Sequence, residues 1–260
     1  MCIRDRLPKE PKTWQQVLSS PHKDLWTAAA TEELNKLQSK NTFQQVPQEE
    51  VVTALPLMWV FTYKCDSNGY LIKHKARIVV RGDLQPPNQL ETYAATLAAR
   101  TFRFLIALVA LFDLETAQFD AVNAFVNSDL DKIIYCQSPP GFDTRGYYLQ
   151  LRRALYGLRR SPLLWWKLLT KVLQQLGLKQ LTGDESCLFG NQHLIVFFYV
   201  DDIVILYHRQ HTQQYADFKQ QLFTQFEIKD LGELKWFLNI RVLRNRANSY
   251  GFVKTPILTK

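Results

Sequence analysis

The sequence has little cysteine, glycine or proline, and it has no long hydrophobic run. Its four cysteines are isolated, with no C-x-x-C pair and no histidine at metal-ligand spacing, which argues against a zinc site and a disulfide framework. Ten glycines and eleven prolines in 260 residues are too few for a collagen-like or low-complexity chain. The longest uncharged apolar run, residues 104–112, is far shorter than a membrane span, and the first thirty residues lack a signal-peptide core. We therefore expect an intracellular protein in a reducing compartment.

Positive charge is in excess. Lysine and arginine number 32 against 24 acidic residues, which gives a net charge of +8, and 47% of the residues are hydrophobic. The hydrophobic fraction suffices for a sizeable core, so a wholly disordered chain is excluded. The charge favours an anionic partner such as nucleic acid, a nucleotide or a membrane surface, and on charge alone an ordinary basic enzyme fits about as well.

Hydrophobic periodicity predicts an α+β fold. The helical patterns lie at residues 20–41, 101–113, 161–177 and 212–226. The strand patterns lie at residues 57–64, 70–81, 115–120, 130–137 and 234–243, and residues 194–207 form two apolar strands joined by a tight acidic turn. The turn between the first two strands contains Asn68-Gly69, which tolerates positive φ.

Two segments concentrate positive charge. In the strand at residues 70–81, a period of two places four cations on one face, namely Lys73, Lys75, Arg77 and Arg81. Residues 144–183 hold eight basic residues and no acidic residue, interleaved with tyrosine and tryptophan. Arginine with aromatic rings suits phosphates and stacked bases. The alternatives are a solvated strand face and aromatic rings that pack in the core.

Asp201 and Asp202 stand at the tip of a strongly apolar hairpin. Either this turn protrudes into water, or a divalent cation converts the repulsion between the carboxylates into binding. A third carboxylate is needed for two Mg²⁺ ions about 3.5–4 Å apart, the arrangement for in-line phosphoryl transfer. Asp120 is the best candidate, because it closes a short strand just before a tight turn.

Six ordered motifs resemble the reverse transcriptase domain of copia-type LTR retrotransposons. The tetrad YVDD at residues 199–202 is similar to the catalytic hairpin of reverse transcriptases. The others are KARIVVRG at 75–82, QFDAVNAF at 118–125, PPGF at 139–142, LYGLRRSP at 155–162 and DLGELKWFL at 230–238. The resemblance spans about residues 13–250, and Asn239 stands where the family usually has glycine.

The resemblance implies a right-hand polymerase with fingers and palm, in which the catalytic hairpin belongs to an antiparallel palm sheet. The fingers would comprise residues 13–95 and 128–160, and the palm residues 96–127 and 161–260. The chain would stop before the thumb and ribonuclease H regions of a longer polyprotein. Residues 1–12 are expected to be a non-native or linker segment, because residues 1–6 resemble a translated sequencing adapter.

The resemblance also assigns the catalytic centre. Asp120 and Asp201 would each bind both metal ions, Asp202 would be a more peripheral ligand, and the backbone of Ala121 would approach the metal and the triphosphate. The ions would be Mg²⁺, with Mn²⁺ as a substitute. Lys229 would be a general acid for the leaving pyrophosphate.

Other positions would bind the substrates. Lys75 and Arg77 would bind the triphosphate, Phe125 would be an aromatic gate that excludes a 2′-hydroxyl, and Tyr156 and Gly157 would lie against the nucleotide. A further five positions would contact the template and primer: Arg81, Arg159, Arg160, Phe237 and Leu238. For Phe125 the alternative is plain core packing.

The function implied is an RNA-directed DNA polymerase that uses an RNA template, a DNA primer and deoxyribonucleoside triphosphates. Its other partners would be the remaining polyprotein domains, integrase and ribonuclease H, in a cytoplasmic virus-like particle or the nucleus, and no membrane. One alternative is a catalytically inactive remnant that only binds nucleic acid. Another is an RNA-synthesising relative of the same fold, against which Phe125 argues, and a third is an unrelated two-metal nuclease.

Overall fold

The computed structural model describes residues 6–66, 68–86, 91–181 and 187–244, together with the backbone of residues 251–253. The chain divides into two compact units, each made of two stretches of sequence. Unit 1 comprises Met1–Thr92 and Phe125–Leu164, and unit 2 comprises Tyr93–Ala124 and Trp165–Lys260. The assignment of fingers and palm to these stretches stays a prediction. Of the expected non-native segment, residues 1–5 lie outside the described residues.

The described residues form five α-helices: α1 Trp14–Leu18, α2 Lys23–Ser39, α3 Ala99–Leu111, α4 Ser161–Gln175 and α5 Thr212–Gln225. The helices predicted to begin near residues 101, 161 and 212 are confirmed within two residues at each end. The first predicted helix corresponds to α2 but begins later than Ser20, because the Ser20 hydroxyl accepts a hydrogen bond from the His22 amide in a turn, at 3.1 Å. No described helix has both the length and the apolar character needed to cross a bilayer.

The strands are β1 Phe43–Pro47, β2 Leu57–Cys65, β3 Leu71–Val80, β4 Glu115–Ala121, β5 Asp129–Cys136, β6 Tyr147–Arg153, β7 Lys179–Gln180, β8 Leu188–Gly190, β9 Leu194–Tyr199, β10 Asp202–Tyr207, β11 Ile228–Gly232, β12 Trp236–Phe237, β13 Ile240–Leu243 and β14 Gly251–Val253. Unit 1 contains a sheet in the order β1-β6-β5 and the hairpin β2-β3. Unit 2 contains a sheet in the order β11-β4-β10-β9-β8-β7 and a smaller one in the order β12-β13-β14. All of these strand pairings are antiparallel, so the α+β prediction is confirmed.

The core of unit 1 is built on the β2–β3 hairpin, where buried and outward-facing side chains alternate as a period of two requires. Helix α2 packs against β3 and brings the ring of Trp26 to 5.4 Å from Phe61 and 4.9 Å from Tyr63 between centroids. Burial of each large apolar side chain contributes about 1.5–3 kcal/mol. Because this packing buries one face of β3, the side chains on its other face point away from the core of unit 1.

That outer face carries fewer cations than the periodicity predicts. Lys73, Lys75 and Arg77 alternate with buried residues along β3, as expected. Arg81, however, lies beyond the end of the strand, and its guanidinium donates to both carboxylate oxygens of Asp83, from Nε at 2.9 Å and from Nη2 at 2.7 Å. The outward face of β3 therefore carries three of the four predicted cations, Lys73, Lys75 and Arg77.

In unit 2 the central strand β4 lies between β10 and β11. Phe119 of β4 is fully buried, with its ring 5.2 Å from that of Phe223 on α5. Phe102 of α3 contacts Phe197 of β9, at 6.0 Å between ring centroids, and Phe237 of β12, at 4.8 Å. These contacts hold the main sheet, its helices and β12 as one core.

The single strand predicted for residues 234–243 is wrong. The segment is a hairpin, in which Phe237 pairs with Ile240 and Leu238-Asn239 form the two-residue turn. Both turn residues have positive φ, 49° and 60°, the combination that a type I′ turn needs. Asparagine tolerates this conformation better than most residues, which explains how Asn239 can occupy the second position of the turn.

Candidate active site

The three predicted metal ligands come together at one end of the main sheet of unit 2. Asp202, the first residue of β10, pairs directly with Asp120 of β4 and also with Tyr199 of β9. The second pairing leaves Val200 and Asp201 as a two-residue turn, so the predicted acidic hairpin is confirmed. Directly paired residues of antiparallel strands project from the same face of the sheet. The carboxylates of Asp120 and Asp202 are therefore neighbours, with Asp201 adjacent in sequence.

The backbone of this turn is held at both residues. Val200 has φ of 56°, a left-handed conformation that is costly for a β-branched side chain. The buried indole of Trp165 donates its N–H to the carbonyl of Val200 at 2.7 Å. The amide of Ala121 donates to the carbonyl of Asp201 at 2.9 Å. The strained turn is thus fixed relative to β4 before any ligand binds.

Negative charge is concentrated here. Burial, followed by the charges of Asp201 and Asp120, raises the pKa of Asp202 to about 6, whereas a hydrogen bond from Gln118 opposes the rise. A half-buried carboxylate with two anionic neighbours is destabilised in its charged form. A divalent cation would relieve this repulsion.

The donor set fits Mg²⁺ in its chemistry, because carboxylate oxygens are the protein ligands this ion prefers. Among the described residues, no three Asp, Glu, His or Cys side chains form a complete metal cluster. Mg²⁺ usually keeps several waters and binds through a few carboxylates together with substrate phosphates. The aspartates would then supply only part of the coordination of each ion.

The predicted general acid lies beside this cluster. Lys229 is exposed on β11 and pairs directly with Asp120 across the β4–β11 ladder. The structure thus brings Lys229 together with the three aspartates. Sequence periodicity does not predict β11, whose residues are exposed or half-buried without alternation.

We expect Asp202→Asn to stabilise the metal-free protein at neutral pH. The pKa of Asp202 is about 6 in the fold against a reference value of 3.8, so the fold loses stability as pH rises from about 4 to about 6 and stays at the lower level above it. Asparagine carries no such penalty. Because the site is partly exposed and screened, we expect a rise in Tm of about 2–4 °C at pH 7.5, worth about 1 kcal/mol, and none at pH 3.

Thermal unfolding in EDTA at the two pH values measures this effect. Equal Tm values for the two proteins at pH 7.5 would contradict the repulsion at the site.

The predicted nucleotide-binding residues lie in unit 1. Phe125 is 6% exposed, and its ring centroid lies 4.6 Å from that of the half-buried Tyr156. The guanidinium carbon of Arg77 lies 5.3 Å from the centroid of the same tyrosine ring. Lys75 lies on the same face of β3 as Arg77. Three of the five residues thus form a cation–aromatic group in which Tyr156 contacts both Arg77 and Phe125, and Lys75 shares the strand face of Arg77.

Gly157 is the fifth predicted nucleotide-binding residue, and the backbone around it leaves no room for a side chain. Its φ is 93°, and a Cβ atom there would lie 2.0 Å from the carbonyl oxygen of Val80. The carbonyl of Tyr156 meanwhile accepts a hydrogen bond from the amide of Val80 at 2.8 Å. Glycine is therefore needed for close approach to β3, and its predicted contact with the nucleotide stays a prediction.

We expect Gly157→Ala to lower the free energy of unfolding of unit 1 by at least about 3 kcal/mol, because positive φ and a backbone clash add together. Gly146→Ala is the matched control, since φ at Gly146 is 78° and nothing lies within 4 Å of its Cβ position. We expect the control to lose only about 1 kcal/mol. Urea unfolding measures both variants, and equal losses would show that the approach to Val80 is not required.

The predicted template-binding arginines contact protein groups. Arg159 donates from Nε to the carbonyl of Gly82 at 3.1 Å. Arg160 forms an ion pair with Asp131 and donates to the carbonyl of Glu91. These contacts join Arg159 and Arg160 to other segments of unit 1, whereas the Arg81–Asp83 pair is local and exposed. Their contact with template phosphates stays a prediction.

The two predicted primer-contacting residues differ in position. Phe237 is 1% exposed, so its side chain belongs to the core of unit 2. Leu238 lies in the turn after β12, not in a strand. The prediction of a strand that reaches Leu238 is therefore wrong, and the buried side chain of Phe237 is not available to a primer.

Sequence reasoning assigns no individual role to Gln118 or to Val200 and assigns Trp165 only to the aromatic residues of the basic segment. A polar Gln118 in an otherwise buried stretch of β4 is the signal that could have drawn attention to it. Nothing in the pattern of residues 194–207 shows that the carbonyl of Val200 accepts a hydrogen bond from Trp165 of helix α4.

Comparisons with known proteins identify the family of the chain. Residues 40–259 match the family described as reverse transcriptase (RNA-dependent DNA polymerase). The chain is 31% identical over 251 residues to the Retrovirus-related Pol polyprotein from transposon TNT 1-94 of Nicotiana tabacum, which covers 92% of this chain and 19% of that protein. It is also 31% identical over 244 residues to the corresponding polyprotein from transposon RE1 of Arabidopsis thaliana, covering 90% of this chain and 16% of that protein.

A more distant relative is the transposon Ty1-DR4 Gag-Pol polyprotein of Saccharomyces cerevisiae, 24% identical over 230 residues, with 86% of this chain and 14% of that protein covered. The chain thus spans less than a fifth of the length of the relatives compared.

Proposed function

The chain belongs to the reverse transcriptase (RNA-dependent DNA polymerase) family, as found in retrotransposon Pol polyproteins, and we propose that it adds deoxyribonucleotides to a DNA primer on an RNA template by two-metal phosphoryl transfer. The observation that carries the proposal is the direct pairing of Asp120 with Asp202 beside Asp201. These three carboxylates lie at one end of one sheet and, completed by substrate phosphates and water, would suit two divalent ions.

Asp120 and Asp201 would bind both ions, and Asp202 would bind at the periphery. Magnesium bound there would activate the primer 3′-hydroxyl and stabilise the charge that develops on the transferring phosphoryl group. The 3′-hydroxyl would lose its proton to solvent as its oxygen forms a bond to the α-phosphorus, and the bond from that phosphorus to pyrophosphate would break. Lys229 would donate a proton to the pyrophosphate, a role supported by its pairing with Asp120.

In unit 1, Lys75 and Arg77 would bind the triphosphate, Tyr156 would lie against the nucleotide, and Phe125 would exclude the 2′-hydroxyl. Contact between the Tyr156 ring and both Arg77 and Phe125 supports this, since one rigid group can then bind phosphate and sugar together. Unit 1 would be the fingers and unit 2 the palm. The wider partners would be the polyprotein's integrase and ribonuclease H domains, in a virus-like particle or the nucleus.

Primer extension tests the proposal. A fluorescent DNA primer annealed to an RNA template is incubated with the protein, the four deoxyribonucleotides and Mg²⁺, and a matched DNA template is run in parallel. We expect extension with Mg²⁺ or Mn²⁺ and none in EDTA. Binding of the primer–template without extension under every metal condition would contradict the proposal and support a remnant that only binds nucleic acid.

A further inference from the structure

Gln118 connects the candidate metal site to the β12–β13 hairpin. Its side chain is only 7% exposed. The amide nitrogen Nε2 lies 2.9 Å from the carbonyl oxygen of Trp236, in β12, and 3.4 Å from Oδ1 of Asp202. One side-chain amide therefore faces both a candidate metal ligand and the backbone of the hairpin.

The chemistry of the amide makes this connection specific. A carboxamide has two N–H hydrogens at a fixed angle, so it can donate to two acceptors at once. At a site with so little exposure, water has little access to replace either donation, and an acceptor that loses its donor loses free energy. A rotation of the Asp202 carboxylate therefore changes the best position of the amide, and with it the best position of Trp236.

The hairpin is also held by contacts at other places in unit 2. The amide of Leu234 donates to the hydroxyl of Thr116 at 3.2 Å, and Thr116 pairs with Leu206, four residues along β4 from Asp120. Arg244, just after β13, forms ion pairs with acidic side chains at Asp113, Glu115 and Glu233. These contacts brace the hairpin, whereas the Gln118 contact also includes Asp202.

We propose that Gln118 is a positioning residue that couples the orientation of Asp202 to the position of the β12–β13 hairpin. Binding of a divalent ion at Asp202 and binding of the primer–template then strengthen each other through this one side chain. The inference rests on the proposed function, because it takes Asp202 as a metal ligand, and on the prediction that the segment of Phe237 and Leu238 contacts the primer.

The test compares Gln118→Met with Thr116→Val. Methionine is close to glutamine in length and cannot donate, and valine has nearly the shape of threonine without its hydroxyl. Both variants remove one hydrogen bond that anchors the segment around β12, and only the first also touches Asp202. The dissociation constant of a fluorescent primer–template is measured by anisotropy in EDTA and in Mg²⁺.

We expect Mg²⁺ to tighten binding to the wild-type protein by about tenfold or more, within the usual range for coupled sites. In Gln118→Met this tightening should fall by about fivefold, and in Thr116→Val it should remain as in the wild type. Coupling is reciprocal, so the primer–template should strengthen Mn²⁺ binding, read by paramagnetic resonance, by the same factor in each protein.

Equal loss of tightening in both variants would show that Gln118 is only a brace and would overturn the inference. Undiminished tightening in Gln118→Met would overturn it as well. If Gln118→Met does not fold, Gln118→Asn replaces it, because a side chain one methylene shorter cannot reach both acceptors. Failure of the wild-type protein to bind primer–template or divalent ions would instead overturn the proposed function.

Discussion

Primer extension should fall by at least about a thousandfold, or about 4 kcal/mol of transition-state stabilisation, when Asp120 or Asp201 is replaced by asparagine. Each change keeps the size of the side chain and removes the charge of a ligand proposed to bind both ions. The backbone should remain in place, because the bond that anchors the turn is donated by the amide of Ala121 to the carbonyl of Asp201, not to its carboxylate. Asp202→Asn should be damaging but less complete, since Asp202 is the peripheral ligand.

The measurement is the single-turnover rate of nucleotide addition at saturating Mg²⁺. Asp217→Asn is the matched control, because Asp217 is an exposed aspartate of the same unit, on α5. Unit 2 should stay folded in every variant, with a Tm no lower than that of the wild type. Near-wild-type extension by Asp120→Asn or Asp201→Asn would contradict the assignment of the metal site.

Phe125→Val should raise the use of ribonucleotides relative to deoxyribonucleotides by about tenfold or more, which corresponds to relief of at least about 1.4 kcal/mol of steric clash. The ring of Phe125 is rigid, and its contact with Tyr156 at 4.6 Å between centroids leaves it little freedom to retreat from an added hydroxyl. Overall activity should also decrease, because a smaller side chain leaves a cavity.

The readout is the ratio of kcat/KM for a matched ribonucleotide and deoxyribonucleotide. Val126→Ala is the matched control, since Val126 is the buried neighbour of Phe125 and its truncation creates a cavity without changing the ring. The control should lose activity equally toward both sugars. If Phe125→Val behaves like the control, Phe125 is a core residue and the gate lies elsewhere.

The elements that the sequence predicts well are those with a strong local pattern. Residues 194–207 show no alternation of polar and apolar side chains, but they contain two apolar runs separated by two aspartates. Both strands and the turn between them lie where this pattern predicts them. Helix α4 has proline near its start and Gly177 after its end, and it lies at the predicted residues. That Asp120, Asp201 and Asp202 lie at the same end of the sheet follows from the positions of the strand ends alone, without any knowledge of the register.

The elements that the sequence does not predict depend on partners that are far away along the chain. Strand β11 is mostly exposed and has no alternation, so only its pairing with β4 makes it a strand. The turn at Leu238-Asn239 contains neither glycine nor proline, so a hairpin resembles one strand. Arg160 reads as a free cation in a basic segment because its partner Asp131 is far away in sequence. Non-local pairing of this kind leaves no periodic signal.

Strand β11, which carries Lys229, is the last described strand on its side of the main sheet. An edge strand offers unpaired backbone groups to which a second polypeptide can add, and such addition leads to aggregation. Here the register shifts between Asp230 and Gly232, and Lys229 and Asp230 are exposed charges on the strand. Irregular and charged edges resist the addition of another strand. The edge beside Asp120 is therefore expected to stay clear of neighbouring copies even at high protein concentration.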